Sequence, residues 1–156
     1  MVLYSHMKDA INEAKINLDE GIDIPVGCVI RRDGKIIAKA RNCREKMQDV
    51  TAHAEILAIK EAHKELGSSR LNDCEMYVTL EPCPMCSWAI LQSGIKTLYF
   101  GSFNPQYGGM GSNKELSLIK LANSKIKVYG GIEEDECNKI LNEFFKSIRE
   151  RNDYES

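Results

Sequence analysis

Two short motifs carry residue types that can bind a metal and move protons. The first motif is His53-Ala54-Glu55, and the second is Pro82-Cys83-Pro84-Met85-Cys86. One imidazole and two thiolates give three protein ligands for zinc, which leaves the fourth tetrahedral position for water, as in catalytic zinc sites. We therefore predict that His53, Cys83 and Cys86 bind one zinc ion.

Glu55 follows the predicted imidazole ligand by two residues and supplies a carboxyl group for proton transfer. Bound zinc lowers the pKa of its water toward neutrality. We predict that Glu55 takes a proton from this water and passes it to a ring nitrogen and a departing amine. His-x-Glu followed by Pro-Cys-x-x-Cys is a known signature of zinc nucleobase deaminases. The expected reaction replaces an exocyclic amine with oxygen, with zinc-bound hydroxide as the nucleophile and Glu55 as the proton shuttle.

Each motif on its own has other interpretations. A Cys-x-x-Cys segment such as 83–86 could be a redox pair or half of a structural zinc site. A structural site would need a fourth ligand, and Cys74, the nearest candidate, has no ligand partner beside it. A non-catalytic, zinc-stabilised RNA-binding module is a further alternative. Glu55 argues against it, since structural zinc needs no proton shuttle.

The composition is that of an ordinary globular protein. With 156 residues, 43% hydrophobic, we predict a single domain over residues 1–156. The net charge of −2 does not indicate a strongly basic nucleic-acid-binding protein. No apolar run approaches the roughly 20 residues that span a bilayer, and the N-terminus lacks the apolar core of a signal peptide. We therefore expect no membrane association and a cytoplasmic location.

The elements that must position the motifs alternate along the chain. The patterns predict helices over residues 3–20, from 51 or 52 to 66, 83–94, 115–122 and 133–149, and strands over 26–30, 35–40, 76–80, 97–101 and 126–129. This order predicts helices layered on a mostly parallel sheet that begins with an antiparallel hairpin. Both motifs then fall at helix starts, where the helix dipole stabilises thiolates. Met85 and Trp88 are expected to pack in the core.

With these residues identified, the chain resembles bacterial tRNA adenosine deaminases over nearly its whole length. The matching segments are 24–27, 41–42, 51–56, 77–86, 100–101 and 136–145. The resemblance implies a three-layer α/β/α cytidine-deaminase-like fold with a five-stranded mixed sheet, one Zn²⁺ per subunit and a homodimer. It also implies conversion of adenosine to inosine at the wobble position of a tRNA anticodon loop.

The resemblance further implies which residues surround the substrate. Asn42 corresponds to an Asn that hydrogen-bonds the flipped base, and Val26 and Pro82 correspond to apolar contacts at the pocket wall. Asn104 stands where the family usually has an Asp that contacts the RNA backbone. That difference, the net charge and the Pro-Cys-Pro-Met-Cys form shared with guanine and cytosine deaminases favour an alternative: a deaminase of a free nucleobase or nucleoside.

Overall fold

The computed structural model describes residues 2–155, and the side chains from residue 6 onward. Within this range the secondary structure consists of five helices and five strands. In chain order these are α1 (Val2–Glu20), β1 (Gly27–Arg32), β2 (Lys35–Arg41), α2 (Arg44–Met47), α3 (Ala54–Leu66), β3 (Cys74–Leu80), α4 (Pro84–Ser93), β4 (Thr97–Ser102), β5 (Lys127–Tyr129) and α5 (Glu134–Glu155).

The strands form one sheet in the order β2-β1-β3-β4-β5. β1 pairs antiparallel with both β2 and β3, while β3–β4 and β4–β5 are parallel. The β1–β2 hairpin turns at Asp33 and Gly34, whose φ angles of 50° and 77° are the positive values that such a tight turn requires. The predicted mixed sheet with an initial hairpin is confirmed. The sheet is half parallel rather than mostly parallel, because β1 also pairs antiparallel with β3.

Helices cover both faces of the sheet and form the predicted three layers. α1 and α5 pack on one face, whereas α3 and α4 pack on the other. Successive strand residues point to opposite faces. Accordingly, Val29 is buried against α1, while its neighbours Cys28 and Ile30 are buried in the cluster that contains α3.

The helix predicted over residues 115–122 is wrong, because the segment consists of turns. The backbone N–H of Leu118 donates to the carbonyl of Gly109 at 3.2 Å, and that of Asn123 donates to Lys120 at 3.2 Å. A helix this short is marginal unless it buries an apolar face, and Leu121 is 74% exposed. Elsewhere, α2 forms between the second predicted strand and the second predicted helix, where no element was predicted, and α5 continues past residue 149.

Two further features concern the surface. Met85 and Trp88 are 37% and 41% exposed, so the expectation that they pack in the core is wrong. They are three residues apart on α4 and therefore lie on one side of that helix. Among residues 2–155, no helix combines the length and the apolar character needed to cross a membrane.

Candidate metal centre and substrate pocket

His53 and Cys83 each lie one residue before a helix begins, as its N-cap. Both have extended backbone angles, with φ/ψ of −73°/155° for His53 and −68°/171° for Cys83. Their carbonyls accept the first helical hydrogen bonds, from Leu57 at 3.0 Å and Ser87 at 2.8 Å. Neither side chain caps its own helix. The imidazole and the thiol are therefore available to a metal.

The start of α3 differs from the prediction, which placed it at residue 51 or 52. Asp49 explains the later start, because its carboxylate accepts hydrogen bonds from the backbone N–H and hydroxyl of Thr51 at 2.8 and 2.7 Å. On a regular helix, side chains two residues apart diverge by about 200°. Since His53 is extended and precedes the helix, its side chain and that of Glu55 can face the same cavity.

Three candidate ligand atoms converge at the N-termini of α3 and α4. The atoms of His53, Cys83 and Cys86 all lie within 4.8 Å of one another. The Nδ1 atom of His53 is 3.7 Å from the Sγ atom of Cys83 and 3.5 Å from that of Cys86. Tetrahedral zinc, with Zn–N of about 2.05 Å and Zn–S of about 2.3 Å, places N and S about 3.6 Å apart. The donor set and its spacing therefore fit zinc.

The two thiols of the cluster have pKa values shifted in opposite directions. The pKa of Cys83 is lowered to about 4, chiefly by the hydrogen bond from the Cys86 thiol; burial opposes this shift, and the hydrogen bond with His53 adds to it. The pKa of Cys86 is raised, because its proton is held by the hydrogen bond to Cys83 and by burial. Zinc binds thiolates. Metal binding must therefore displace the proton of Cys86.

Glu55 lies in the first turn of α3, next to the cluster. Its side chain is 4% exposed, and burial raises its pKa to about 7. Its carboxyl group hydrogen-bonds Cys86 and also interacts electrostatically with Cys83 and His53. A buried carboxyl group that both holds and releases protons near neutral pH is the kind of group that general acid–base catalysis requires.

A cavity of about 140 Å³ opens onto this cluster. Its lining includes Glu55 and three of the four predicted substrate contacts, namely Val26, Asn42 and Asn104. Pro82 is buried between two lining residues and does not line the cavity itself. The remaining lining residues outside the two motifs were given no role by the sequence patterns; they are Ile24, Arg44, Leu80 and Glu81.

Asn42 has its side-chain amide held by backbone groups on two sides. The Nδ2 group donates to the carbonyl of Ile24 at 3.0 Å, and Oδ1 accepts from the N–H of Arg44 at 3.2 Å. An amide has two donor hydrogens and two acceptor lone pairs. One donor and one acceptor are thus left for a ligand, and their direction is fixed.

Glu81 holds the loop that carries Asn104 over the cavity. Its side chain is 1% exposed, and it accepts backbone hydrogen bonds from Asn104, Met110 and Ser112 at 3.1–3.2 Å. A Cβ added to Gly108 would come within 2.5 Å of the Glu81 carboxylate, so the loop lies against it without space for a side chain. The sequence gives one signal of this contact, the Gly108-Gly109 pair in an otherwise irregular segment.

Asn104 forms a turn within this loop. Its Oδ1 accepts from the N–H of Tyr107 at 3.1 Å, and its carbonyl accepts from the N–H of Gly108 at 2.7 Å. Such local hydrogen bonds are typical of Asn and Asp in turns. The side-chain oxygen of Asn104 therefore supports the loop, while the residue also lines the cavity.

Comparisons with known proteins agree on one family. The model of the cytidine and deoxycytidylate deaminase zinc-binding region matches residues 3–102. The chain is 42% identical to the tRNA-specific adenosine deaminase of Bacillus subtilis (strain 168), over 94% of this chain and 90% of that protein.

Solved structures show the same similarity. One, from a study of A-to-I editing by tRNA A34 deaminases at the wobble position of transfer RNA, has a TM-score of 0.81 and 38% identity, and the match covers 86% of this chain and 97% of that one. The guanine deaminase of Bacillus subtilis has a TM-score of 0.60 and 41% identity over 62% of each chain.

Proposed function

Because this chain belongs to the bacterial tRNA-specific adenosine deaminases, within the cytidine and deoxycytidylate deaminase family, we propose that it converts adenosine to inosine at the wobble position of a tRNA anticodon loop. The observation that carries this proposal is the convergence of Glu55 with His53, Cys83 and Cys86 on one cavity. The reaction is hydrolytic: water replaces the exocyclic amine, and ammonia leaves.

Zinc is the cofactor, as the family match and the donor set indicate. We propose that Nδ1 of His53 and the Sγ atoms of Cys83 and Cys86 hold one ion per subunit. When bound, zinc supplies a Lewis acid that makes a nucleophile from water at neutral pH. The positive end of α4 lies at Cys83, its N-cap, and at Cys86 in its first turn, and so favours their thiolate form.

In the proposed mechanism, Glu55 moves the protons. Its carboxylate takes one proton from the attacking water and delivers it to the ring nitrogen. It then takes the second proton of that water, from the hydroxyl group now on the ring carbon, and delivers it to the departing amine. Burial supports this role, because a pKa near 7 lets the same carboxyl group accept and donate at neutral pH. The other buried carboxyl group at the cavity, Glu81, is occupied by backbone N–H groups.

We propose that Asn42 hydrogen-bonds the edge of the target base, with Val26 as an apolar wall. Pro82, behind the lining residues, shapes the pocket through its rigid backbone. Asn104 keeps the turn that an Asp could also form. Because it adds no negative charge, it avoids repelling the phosphates of an RNA strand at the cavity mouth.

A panel of substrates tests the proposal. We expect inosine from an anticodon stem-loop with adenosine at the wobble position, and no ammonia from free guanine or cytosine. Turnover of a free base without any inosine in the stem-loop would refute the proposal. It would favour the alternative that the similarity to guanine deaminase supports. In the same assay, Asn42→Ala tests the base contact through a loss of turnover at unchanged zinc content.

We infer that the protein is a homodimer whose interface includes the exposed side of α4. Met85 and Trp88 lie on this side, and half-exposed Trp residues are typical of interfaces.

We expect Trp88→Asp to raise the dimer dissociation constant about 30-fold, which corresponds to about 2 kcal/mol for an interface hot spot. Sedimentation at several concentrations measures it. Leu121→Asp, at a 74% exposed position outside the helices, is the control. A wild-type chain that sediments as a monomer at all concentrations would refute the inference.

The same proposal includes a single domain over the whole chain and a cytoplasmic location, where tRNA is processed. The support is that one sheet joins all five strands of residues 2–155. Recovery of the protein in the membrane or secreted fraction after cell fractionation would contradict the location.

A further inference from the structure

The side chain of Asn17 lies between the two chain segments that form one side of the substrate cavity. Asn17 is on α1 and is 2% exposed. Its Nδ2 donates to the carbonyl of Asn42 at 2.9 Å, and its Oδ1 accepts from the N–H of Val26 at 3.3 Å. Both bonded residues line the cavity.

The amide of Asn17 occupies the place of a backbone hydrogen bond. β1 and β2 are in register at Gly27 and Arg41, so Val26 and Asn42 form the next pair. In a regular antiparallel ladder, such a pair exchanges two backbone hydrogen bonds. The bond from Asn42 N–H to the Val26 carbonyl is present at 3.0 Å. The reciprocal bond is replaced by the inserted amide, and the two segments must separate there.

This separation is transmitted to the base-binding group. Past the inserted amide, the side chain of Asn42 bonds the carbonyl of Ile24 on one segment and the N–H of Arg44 on the other. The spacing of the segments therefore sets where the Asn42 amide stands. The zinc ligands belong to α4 and the start of α3, on the face opposite α1. A change at Asn17 therefore leaves them in place.

We propose that Asn17 is a positioning residue for the reaction: it holds the Val26 N–H and the Asn42 carbonyl apart and so sets the width of the base that the pocket accepts. The proposal rests on the proposed function for its substrate. The spacing of the Val26 N–H and the Asn42 carbonyl does not depend on which substrate the protein uses.

Asn17→Ala tests the proposal, because without the amide the Val26 N–H and the Asn42 carbonyl can bond directly and narrow the pocket. The assay compares kcat/KM for stem-loops carrying adenosine or the wider 2-aminoadenosine. We expect the ratio of kcat/KM for 2-aminoadenosine to that for adenosine to fall about tenfold, because the free energy of a typical hydrogen bond corresponds to a change of about this size. Zinc content should stay unchanged. Asn12→Ala, at an exposed position of the same helix, should leave the ratio unchanged. An equal loss for both substrates in Asn17→Ala would indicate a merely structural role and overturn the proposal.

A crystal structure of Asn17→Ala gives a readout without turnover. A Val26 N to Asn42 O distance of about 2.9 Å supports the proposal, and retained separation overturns it. If the alanine variant does not fold, Asn17→Asp replaces it, since the carboxylate still accepts from Val26 but cannot donate to Asn42. If the wild type deaminates only a free base, the proposed function fails. The ratio is then measured between that base and a wider analogue.

Discussion

Replacing Glu55 with Gln is expected to abolish turnover while zinc stays bound. Glutamine keeps the size and the hydrogen-bonding ability of the side chain but cannot take up a proton. General acid–base catalysis contributes about 10²–10⁴-fold, and Glu55 acts in more than one proton transfer, so we expect a loss of at least about 10³-fold. Inosine formation from the stem-loop and zinc content by mass spectrometry measure the two effects. Glu55→Ala should behave in the same way.

The environment of Glu55 distinguishes it from the other carboxyl group at the cavity. Glu55 and Glu81 are both buried lining residues. Glu81 accepts three backbone hydrogen bonds from the loop above the cavity. These bonds engage the carboxylate oxygens of Glu81 with the loop, whereas we propose that Glu55 transfers the protons.

Glu65→Gln is the matched control for this experiment, because Glu65 is exposed on the same helix. It should leave both turnover and zinc unchanged. Turnover that survives in Glu55→Gln would refute the proton shuttle. If Glu55→Ala lost zinc and the fold rather than activity, a non-catalytic, zinc-stabilised RNA-binding module would become the better interpretation.

The grouping of the three candidate metal ligands could be predicted from the sequence, because much of the information is local. Cys83 and Cys86 are separated by one helical turn, with Pro84 fixing the first helical position. That His53 lies outside the helix was harder to predict from the sequence. It depends on Asp49, whose hydrogen bonds to Thr51 delay the start of α3. Hydrophobic periodicity does not register such a side-chain contact.

The substrate side of the cavity could not be derived in this way, because non-local hydrogen bonds build it. Glu81 bonds residues 23–31 positions away, and Asn17 bonds a carbonyl 25 positions away. In the sequence, a buried Asn or Glu looks like one on a solvated helix face or within a motif. Only the fold shows that these side chains take the place of backbone partners.

Replacing Cys86 with Ser is expected to remove both zinc and part of the stability of the fold. Cys86 is fully buried, at 0% exposure, and a hydroxyl is a poor substitute for a thiolate ligand. A ligand that binds only the folded state stabilises it by about 4 kcal/mol when its free concentration is about 1,000 times Kd. For a chain of this size that corresponds to a decrease in Tm of about 8–16 °C. Differential scanning calorimetry with added zinc measures the shift.

The metal accounts for this loss only if chelation reproduces it. Treating the wild type with a chelator should lower its Tm to about that of Cys86→Ser, and the same treatment should leave the variant unchanged, because it has no zinc to lose. Cys43→Ser is the control, since Cys43 lies outside the cluster and the hydrogen bond of its side chain to the carbonyl of Arg41 can be kept by a hydroxyl. A Cys86→Ser protein with a full complement of zinc would show that Cys86 is not a ligand. A variant far less stable than the chelated wild type would place its effect in core packing, since zinc would then contribute only part of the difference.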